Sequence, residues 1–391
     1  MTDPETALDG FRRVFGRPAE GLWSAPGRAN LIGEFTDFND GFVLPFALGW
    51  SARAAVARRD DDRLRVASAQ RAGDGPRAPV FEVRRAELAP GAGRDWFAYV
   101  HGVAWALDHA PGGLPAGGAD IYLDSDVPIG AGLSSSAAVE CAVALALHDL
   151  FGLTATRREL ATAARRAEND YVGVPTGLMD QMASLCCTVG HALFLDTRSL
   201  EARHVALPLS AAGLELLLVN TNTPRTLAGS AYGDRRDDCR RAAAQLGVAA
   251  LRDVGPDELD AALAELSDPT TRRRARHVVT EDARVLEVVT LLDAGRPEAI
   301  GPVLSEGHRS LRDDFEVSSA ALDLAVDTAL ASAALGARMT GGGFGGAVLA
   351  LAPAGLAGPL GRAVADAFAA AGLPTPSTSP VAAAGGAARL R

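Results

Sequence analysis

The sequence predicts an α+β fold in two domains, and three observations point there. The chain has 391 residues, which at ~100–200 per domain suggests two domains, or three small ones. Strand-like and helix-like segments are interleaved without the strict alternation of a doubly wound parallel sheet. The second half is mostly helical by pattern, and a boundary placed near residue 205, after the strand-like 191–195, divides the chain into 1–205 and 206–391. Hydrophobic content of 48% and charged content of 22% match the soluble globular average, so a full core is expected.

The elements follow from periodicity and punctuation. Residues 51–58 and 121–127 alternate or run apolar as strands do, and 191–195 and 214–219 read the same way. Stretches rich in Gly and Pro at 71–79 and 110–119 read as surface connections. The alanine- and leucine-rich run 136–150 predicts a buried helix. Residues 157–169 have amphipathic spacing with a cap at Thr154 or Thr156, and 178–187 fit a short helix. Further helices are expected at 234–246, 257–266, 271–293 and 318–335, then a strand at 347–351 and a helix near 358–371. The Ala/Gly-rich tail at 382–388 is expected to be ordered only in part.

Charge and composition exclude several classes. A net charge of −10 speaks against a nucleic-acid partner, which needs a basic face. No run of 18 or more apolar residues suggests a membrane span. The first ten residues are acidic and lack a basic and apolar signal region, so a cytoplasmic location is expected. Cys141, Cys186, Cys187 and Cys239 show neither C-x-x-C nor zinc spacing, and reduced thiols are expected. All 38 basic residues are arginine; lysine is absent. A phosphate site here must therefore use arginine, metal and backbone N–H groups, and a nest of N–H groups can hold phosphate on an acidic protein.

Three stretches carry chemistry. Pro128-Ile129-Gly130-Ala131-Gly132-Leu133-Ser134-Ser135-Ser136-Ala137 leads directly into the 136–150 helix. Its glycines can take positive φ, and the helix start offers free N–H groups and a dipole to an anion. It lacks the Gly-Lys-[Ser/Thr] ending of a Walker A loop, and alone it could be a glycine turn with a serine cap. Ala25 to Gly41 crowds Glu34, Asp37, Asn39 and Asp40 into a short loop. Such groups can read sugar hydroxyls, although composition alone would also fit a solvated turn. Thr340-Gly341-Gly342-Gly343-Phe344-Gly345-Gly346 spends much backbone entropy, which tight turns or close approach to a ligand would justify.

Together these stretches resemble the three signature motifs of the GHMP kinase superfamily, and residues 27–39 resemble the galactokinase signature in particular. The likeness continues through Ala167-Glu168-Asn169, through Val172 to Gln181, Asn220 to Asn222, Arg225 to Tyr232, Arg276 to Glu281 and Ser310 to Phe315. It spans about residues 11 to 351. The resemblance implies a two-lobed fold with the active site in the cleft, ATP as co-substrate, Mg²⁺, and transfer of the γ-phosphate to the anomeric hydroxyl of galactose. By the same resemblance Asp180 is the proton acceptor and Arg28 the arginine beside the reacting oxygen. Glu34, Phe35, Thr36, Asp37 and Tyr232 match the sugar side. Gly130, Ala131, Gly132, Leu133, Ser134, Ser135 and Ser136 match the loop around the ATP phosphates, and Ser136 and Glu168 match the Mg²⁺ positions. A monomer whose partners are sugar and ATP is expected.

Two positions depart from the galactokinase pattern: Phe35 stands where His is usual, and Phe38 where Tyr is usual. Phenylalanine makes no conventional hydrogen bond, so the sugar pocket is expected to lack one or two polar contacts. Phe35 keeps open a kinase for a related sugar, such as L-arabinose, N-acetylgalactosamine or galacturonate. A non-catalytic sugar sensor is the other alternative, and the unbroken serine loop and Asp180 speak against it.

Overall fold

The computed structural model describes residues 4–71, 78–91, 95–223 and 228–391. Most of the loop expected at 71–79 lies outside the described residues, as do Arg225, Thr226 and Leu227 of the block quoted above. In chain order the first part consists of α1 (Pro4–Phe15), β1 (Gly21–Asn30), β2 (Phe42–Val43), β3 (Pro45–Arg59), β4 (Arg63–Ser68), β5 (Phe81–Arg84), α2 (Phe97–Asp108), β6 (Gly118–Ser125), α3 (Ser135–Phe151), α4 (Arg157–Arg166), α5 (Met179–Cys186), β7 (His191–Asp196) and β8 (Ala202–Ala206). Then come β9 (Leu214–Asn220), α6 (Ala228–Gln245), α7 (Leu259–Glu265), α8 (Pro269–Asp293), α9 (Ile300–Asp313), α10 (Ala320–Ala331), β10 (Gly336–Thr340), β11 (Ala347–Pro353), α11 (Ala357–Ala370), β12 (Ser377–Val381) and β13 (Ala388–Arg389).

The strands form three sheets, ordered β13-β1-β3-β6-β4-β5, β10-β11-β9-β12 and β2-β7-β8. Among the described residues only β4–β6 pairs parallel, so the architecture is α+β. The first sheet is covered on both faces, which explains why β3 reads as a continuous apolar run and not as an alternation. Successive side chains in a strand point to opposite faces. Ala55 and Ala57 accordingly pack under α1 with Phe11 and Tyr122, while Ala54 and Val56 meet α2 and α3. Burying a side chain such as Phe11 contributes about 1.5–3 kcal/mol. Helix α1 comes so close that a Cβ on Gly10 would sit 2.3 Å from the Tyr122 ring.

The caps explain the helices around the site. Thr156, not Thr154, opens α4: its N–H donates to Glu159 Oε2 at 2.7 Å and its Oγ1 accepts from Glu159 N at 3.3 Å, a reciprocal capping box. Helix α4 does not run regularly to Asn169. It loosens into a π-helical turn over Ala167–Val172, a local distortion often found at functional sites.

Two expectations are corrected. The helix expected at 318–335 stops at Ala331, and Gly336–Thr340 is a fully buried strand. The tail at 382–388 is ordered: Ala384 N donates to Ala47 O, Gly386 N to Cys187 O and Ala387 N to Ser184 O, each at 2.8 Å. Strand β13 then pairs with β1. Its backbone N–H groups find partners on the first sheet and its neighbours, which composition could not reveal. Among the described residues no helix is long and apolar enough to cross a membrane, and all four cysteines are free thiols.

Candidate active site

A cavity of about 400 Å³ opens where the ends of these elements meet. Strand β1 carries Arg28 into it, and the loop after β1 carries Glu34, Phe35 and Asp37. The turn before α3 brings Gly130, Gly132, Leu133 and Ser134, and the first turn of α3 brings Ser135 and Ser136. The π-helical turn supplies Glu168, α5 supplies Asp180, α6 supplies Tyr232, and the β10–β11 turn supplies Gly341 and Gly342. Two expected residues are not in its lining. Thr36 is fully buried, its hydroxyl 2.8 Å from Gly33 O and 2.6 Å from Phe42 O, so it shapes the loop from within. Ala131 is buried in the apolar core beneath the glycine turn.

Asp180 is held by its neighbours. Arg28 donates to Asp180 Oδ1 from Nε at 2.9 Å and from Nη2 at 2.8 Å, and Ser134 Oγ donates to Oδ2 at 2.5 Å. Ser134 reaches it from a left-handed backbone, φ 56°. Arg28 also donates from Nη1 to Gly132 O at 2.7 Å, and its backbone N–H to Leu133 O at 3.1 Å. The strand and the glycine turn are thereby laced together. Gly341, at φ 82°, packs against the same turn, where a Cβ would lie 2.6 Å from Gly132 O. The three sequence motifs thus converge on one point.

The acids differ sharply in setting. The Asp180 side chain retains 21% exposure and the Glu34 side chain 2%. Burial pushes Asp37 up to about 6, and the nearby Asp180 adds to this while Arg28 opposes it. Gly177 makes room for Asp37: a Cβ there would be 1.8 Å from Asp37 Oδ2. Burial, reinforced by Asp180, pushes Glu168 up to about 7. Glu168 accepts from Ser136 Oγ at 3.0 Å, Thr176 Oγ1 at 3.0 Å and Gln181 Nε2 at 2.8 Å. Ser136 and Glu168 form an oxygen-only donor pair at the α3 N-terminus, next to free N–H groups that suit an anion. A hydroxyl and a carboxyl with no arginine bonded to it fit a hard cation such as Mg²⁺, which is usually bound through one or two carboxylates and phosphate oxygens. No larger His/Cys/Asp/Glu group able to hold an ion is found among the described residues.

Phe35 lies at φ 67° and its ring packs among Phe315, Tyr232 and Phe38, with centroids 4.7, 5.5 and 6.2 Å away. It lines the cavity yet is buried, 4% exposed, within a core cluster that includes these rings. Sequence reasoning did not find Arg338, Glu281, Glu140 or the role of Gln181. Arg338 is fully buried and bonds both Glu34 and Glu281, the latter at 2.8 Å. Burial pushes Glu34 up to about 7, against the pull of Arg338. Burial acts the same way on Glu281, but Arg338 and Arg284 overcome it and hold that carboxyl well below the usual range. A lone arginine between Ala337 and Met339 in β10, and a lone glutamate in an alanine-rich helix, were the available signals.

Comparison with known proteins decides the family. The family model for the galactokinase galactose-binding signature matches residues 9–58. Those for the GHMP kinase N-terminal and C-terminal domains match 98–188 and 288–370. The galactokinase of Streptomyces coelicolor is 55% identical over 386 residues, 98% of each chain. The chain belongs to the galactokinase family. The galactokinase of Mycobacterium tuberculosis is 44% identical, covering 94% of this chain and 99% of the relative. The crystal structure of Lactococcus lactis galactokinase complexed with galactose superposes with a TM-score of 0.93 at 32% identity, covering 99% of each chain. Methanococcus jannaschii mevalonate kinase, at TM-score 0.65 and 14% identity, shares the fold. Within the galactokinase family matches, the sugar-signature segment contains Arg28, Glu34, Phe35 and Asp37, and the N-terminal segment contains Gly130–Ser136, Glu168 and Asp180. Tyr232 falls between matched segments.

Proposed function

We propose that this chain transfers the γ-phosphate of ATP to the anomeric hydroxyl of D-galactose, giving galactose 1-phosphate and ADP, the entry step of galactose metabolism. The observation that carries this is Asp180, a partly exposed carboxylate lining the cavity, fixed by Arg28 on one oxygen and Ser134 on the other. Asp180 accepts the proton of the sugar hydroxyl as its oxygen bonds to phosphorus, and Arg28 balances charge on the transferring group. Phosphoryl transfer passes a loose transition state, so holding the reactants in line and neutralising charge are the main tasks. Gly130 to Ser136 and the α3 N-terminus hold the phosphates. Glu34, Asp37, Tyr232 and the edge of Phe35 shape the sugar side. Ser136 and Glu168 would hold Mg²⁺, which supplies charge neutralisation on the phosphates when bound.

In this reading residues 1–205 carry the sugar and phosphate loops, and residues 206–391 close the cavity with Tyr232 and the glycine turn. We take the active unit to be a monomer whose partners are sugar and ATP. Four free thiols fit a reducing, cytoplasmic setting. The comparisons do not favour a kinase for another sugar or a non-catalytic sensor. The test is coupled ADP release with ATP and a sugar panel. Galactose-dependent turnover that disappears in excess chelator is expected. No turnover with galactose would defeat the assignment, and full turnover in chelator would defeat the metal role of Ser136 and Glu168.

A further inference from the structure

Glu140 lies on α3 one turn beyond Ser136, in an otherwise apolar stretch, and is fully buried. It is not among the residues lining the cavity. Its Oε2 accepts from Gln181 Nε2 at 3.1 Å, and the same nitrogen donates to Glu168 Oε2 at 2.8 Å. An amide nitrogen has two hydrogens, and here each goes to a carboxyl. Helix α3 therefore engages Glu168 twice: directly, through Ser136 at Oε1, and indirectly, through Glu140 and Gln181 at Oε2. We infer that Glu140 is a positioning residue of the active site: through Gln181 it fixes the orientation of the Glu168 carboxyl, keeping Oε1 on the Ser136 side, toward the cavity.

The charge balance supports this. Among the described residues no arginine bonds Glu140, and its Oε1 has no hydrogen-bond partner. A buried carboxyl without a counter-charge takes up a proton. In that state Glu140 still presents an accepting oxygen to Gln181 and adds no charge beside Glu168. A carboxyl doing nothing but filling space would be replaceable by an apolar side chain of similar size, and a surface-type ion-pairing role has no partner here. Gln181 also directly follows Asp180 on α5, so the link ties the metal-side and proton-accepting helices together.

The inference rests on the reading that Ser136 and Glu168 hold the metal of Mg·ATP. The test is calorimetric binding of ADP, with Mg²⁺ and with EDTA, to the full chain. Galactose binding is measured alongside, for wild type, Glu140→Leu, Glu140→Gln and Glu168→Gln. Removing an outer partner of a metal ligand commonly costs 10–100-fold in metal affinity, so Glu140→Leu is expected to weaken Mg·ADP binding about tenfold. ADP binding in EDTA and galactose binding stay unchanged. Glu140→Gln, which keeps an accepting oxygen for Gln181, binds Mg·ADP within about twofold of wild type, below the cost of one lost hydrogen bond. The inference is overturned if Glu140→Leu binds Mg·ADP like wild type, if it weakens all three ligands alike, or if Glu140→Gln loses as much as Glu140→Leu. If Glu168→Gln leaves the Mg²⁺-dependent part of binding intact, the metal assignment itself fails, a result distinct from failure of Glu140 alone. Should Glu140→Leu not fold, Gln181→Met cuts the same link from the other end and is read by the same outcomes.

Discussion

Two buried acid clusters flank the cavity, and they are built on opposite principles. On the sugar side, Glu34 and Glu281 share Arg338, and Arg284 donates to Glu281 Oε2 at 2.9 Å. Two acids there meet two arginines. On the phosphate side, Glu168 and Glu140 share only the neutral amide of Gln181. The first cluster carries its own counter-charges and needs nothing added. The second has none, which is the electrostatic state expected of a place that receives a cation. Asp180 sits between them, paired to Arg28 yet open to the cavity. Counting carboxylates near a pocket says little about function; counting which of them already have a cation says more.

The largest effect is expected at the residue between the clusters. Asp180→Asn keeps shape and removes charge. It should lower kcat by about 10²–10⁴, the usual contribution of a positioned proton acceptor, with ATP affinity nearly unchanged in steady-state and binding measurements. Retention of most of wild-type kcat would reduce Asp180 to a positioning group. Next comes the self-compensated cluster. Arg338→Met strands Glu34 and Glu281 without their shared cation and should destabilise the fold by about 3–5 kcal/mol in chemical denaturation. Glu168→Gln, by contrast, should leave ligand-free stability unchanged or raise it, because it removes an acid that has no cation. Equal losses in the two variants would erase the distinction between the clusters.

A third prediction concerns pH. Glu168 and Asp282 both have carboxyls pushed up to about 7 by burial. The folded state then binds more protons than the unfolded state between pH ~4.5 and ~7, so stability falls as pH rises through that window. Ligand-free protein should melt at a higher temperature at pH 6 than at pH 8. Glu168→Gln should flatten part of that slope, and a Tm that rises steadily from pH 6 to 8 would contradict it.

The smallest effect is expected at Phe35. Its ring is locked among Phe315, Tyr232 and Phe38, so Phe35→His gains at most one hydrogen bond. The kcat/KM ratio of galactose to 6-deoxygalactose should change by no more than about 2- to 13-fold, the worth of one such bond. A larger shift would show that the ring faces the sugar far more than its burial implies.

What the sequence revealed and what it hid divide along the same physical line. The glycine and serine turns, Arg28, Glu168 and Asp180 were legible because chemistry concentrated in short loops leaves local motifs. Arg338 and Glu34 are partners across most of the chain, and no local spacing announces such a pair. Glu140 in a run of alanines is a single odd letter. Helix α9 was not among the expected helices, and its Gly301, Pro302 and Gly307 are weak helix formers that blur a local pattern. In the fold Gly301 is instead a contact, since a Cβ there would lie 2.4 Å from Leu335 O, and one on Gly336 would lie 2.0 Å from Gly301 O. The same close packing turned the expected end of the 318–335 helix into a route to strand β10. The strands at 51–58, 191–195, 214–219 and 347–351 were visible because their apolar runs are long enough to carry a period.

The pairing of β13 with β1, Trp23 opposite Arg389 and the guanidinium 5.0 Å from the indole ring centre, has a consequence for biosynthesis. A ribosome delivers residues from the amino end at about 5–20 per second. Strand β1 therefore emerges long before the residues that cover its edge. Until those residues follow, β1 presents a short unpaired row of N–H and C=O groups at Leu22–Ser24, the kind of template that neighbouring nascent chains can extend. Fragments cut off before residue 388 by early termination or proteolysis would keep that row open permanently, and self-association should be most severe for them.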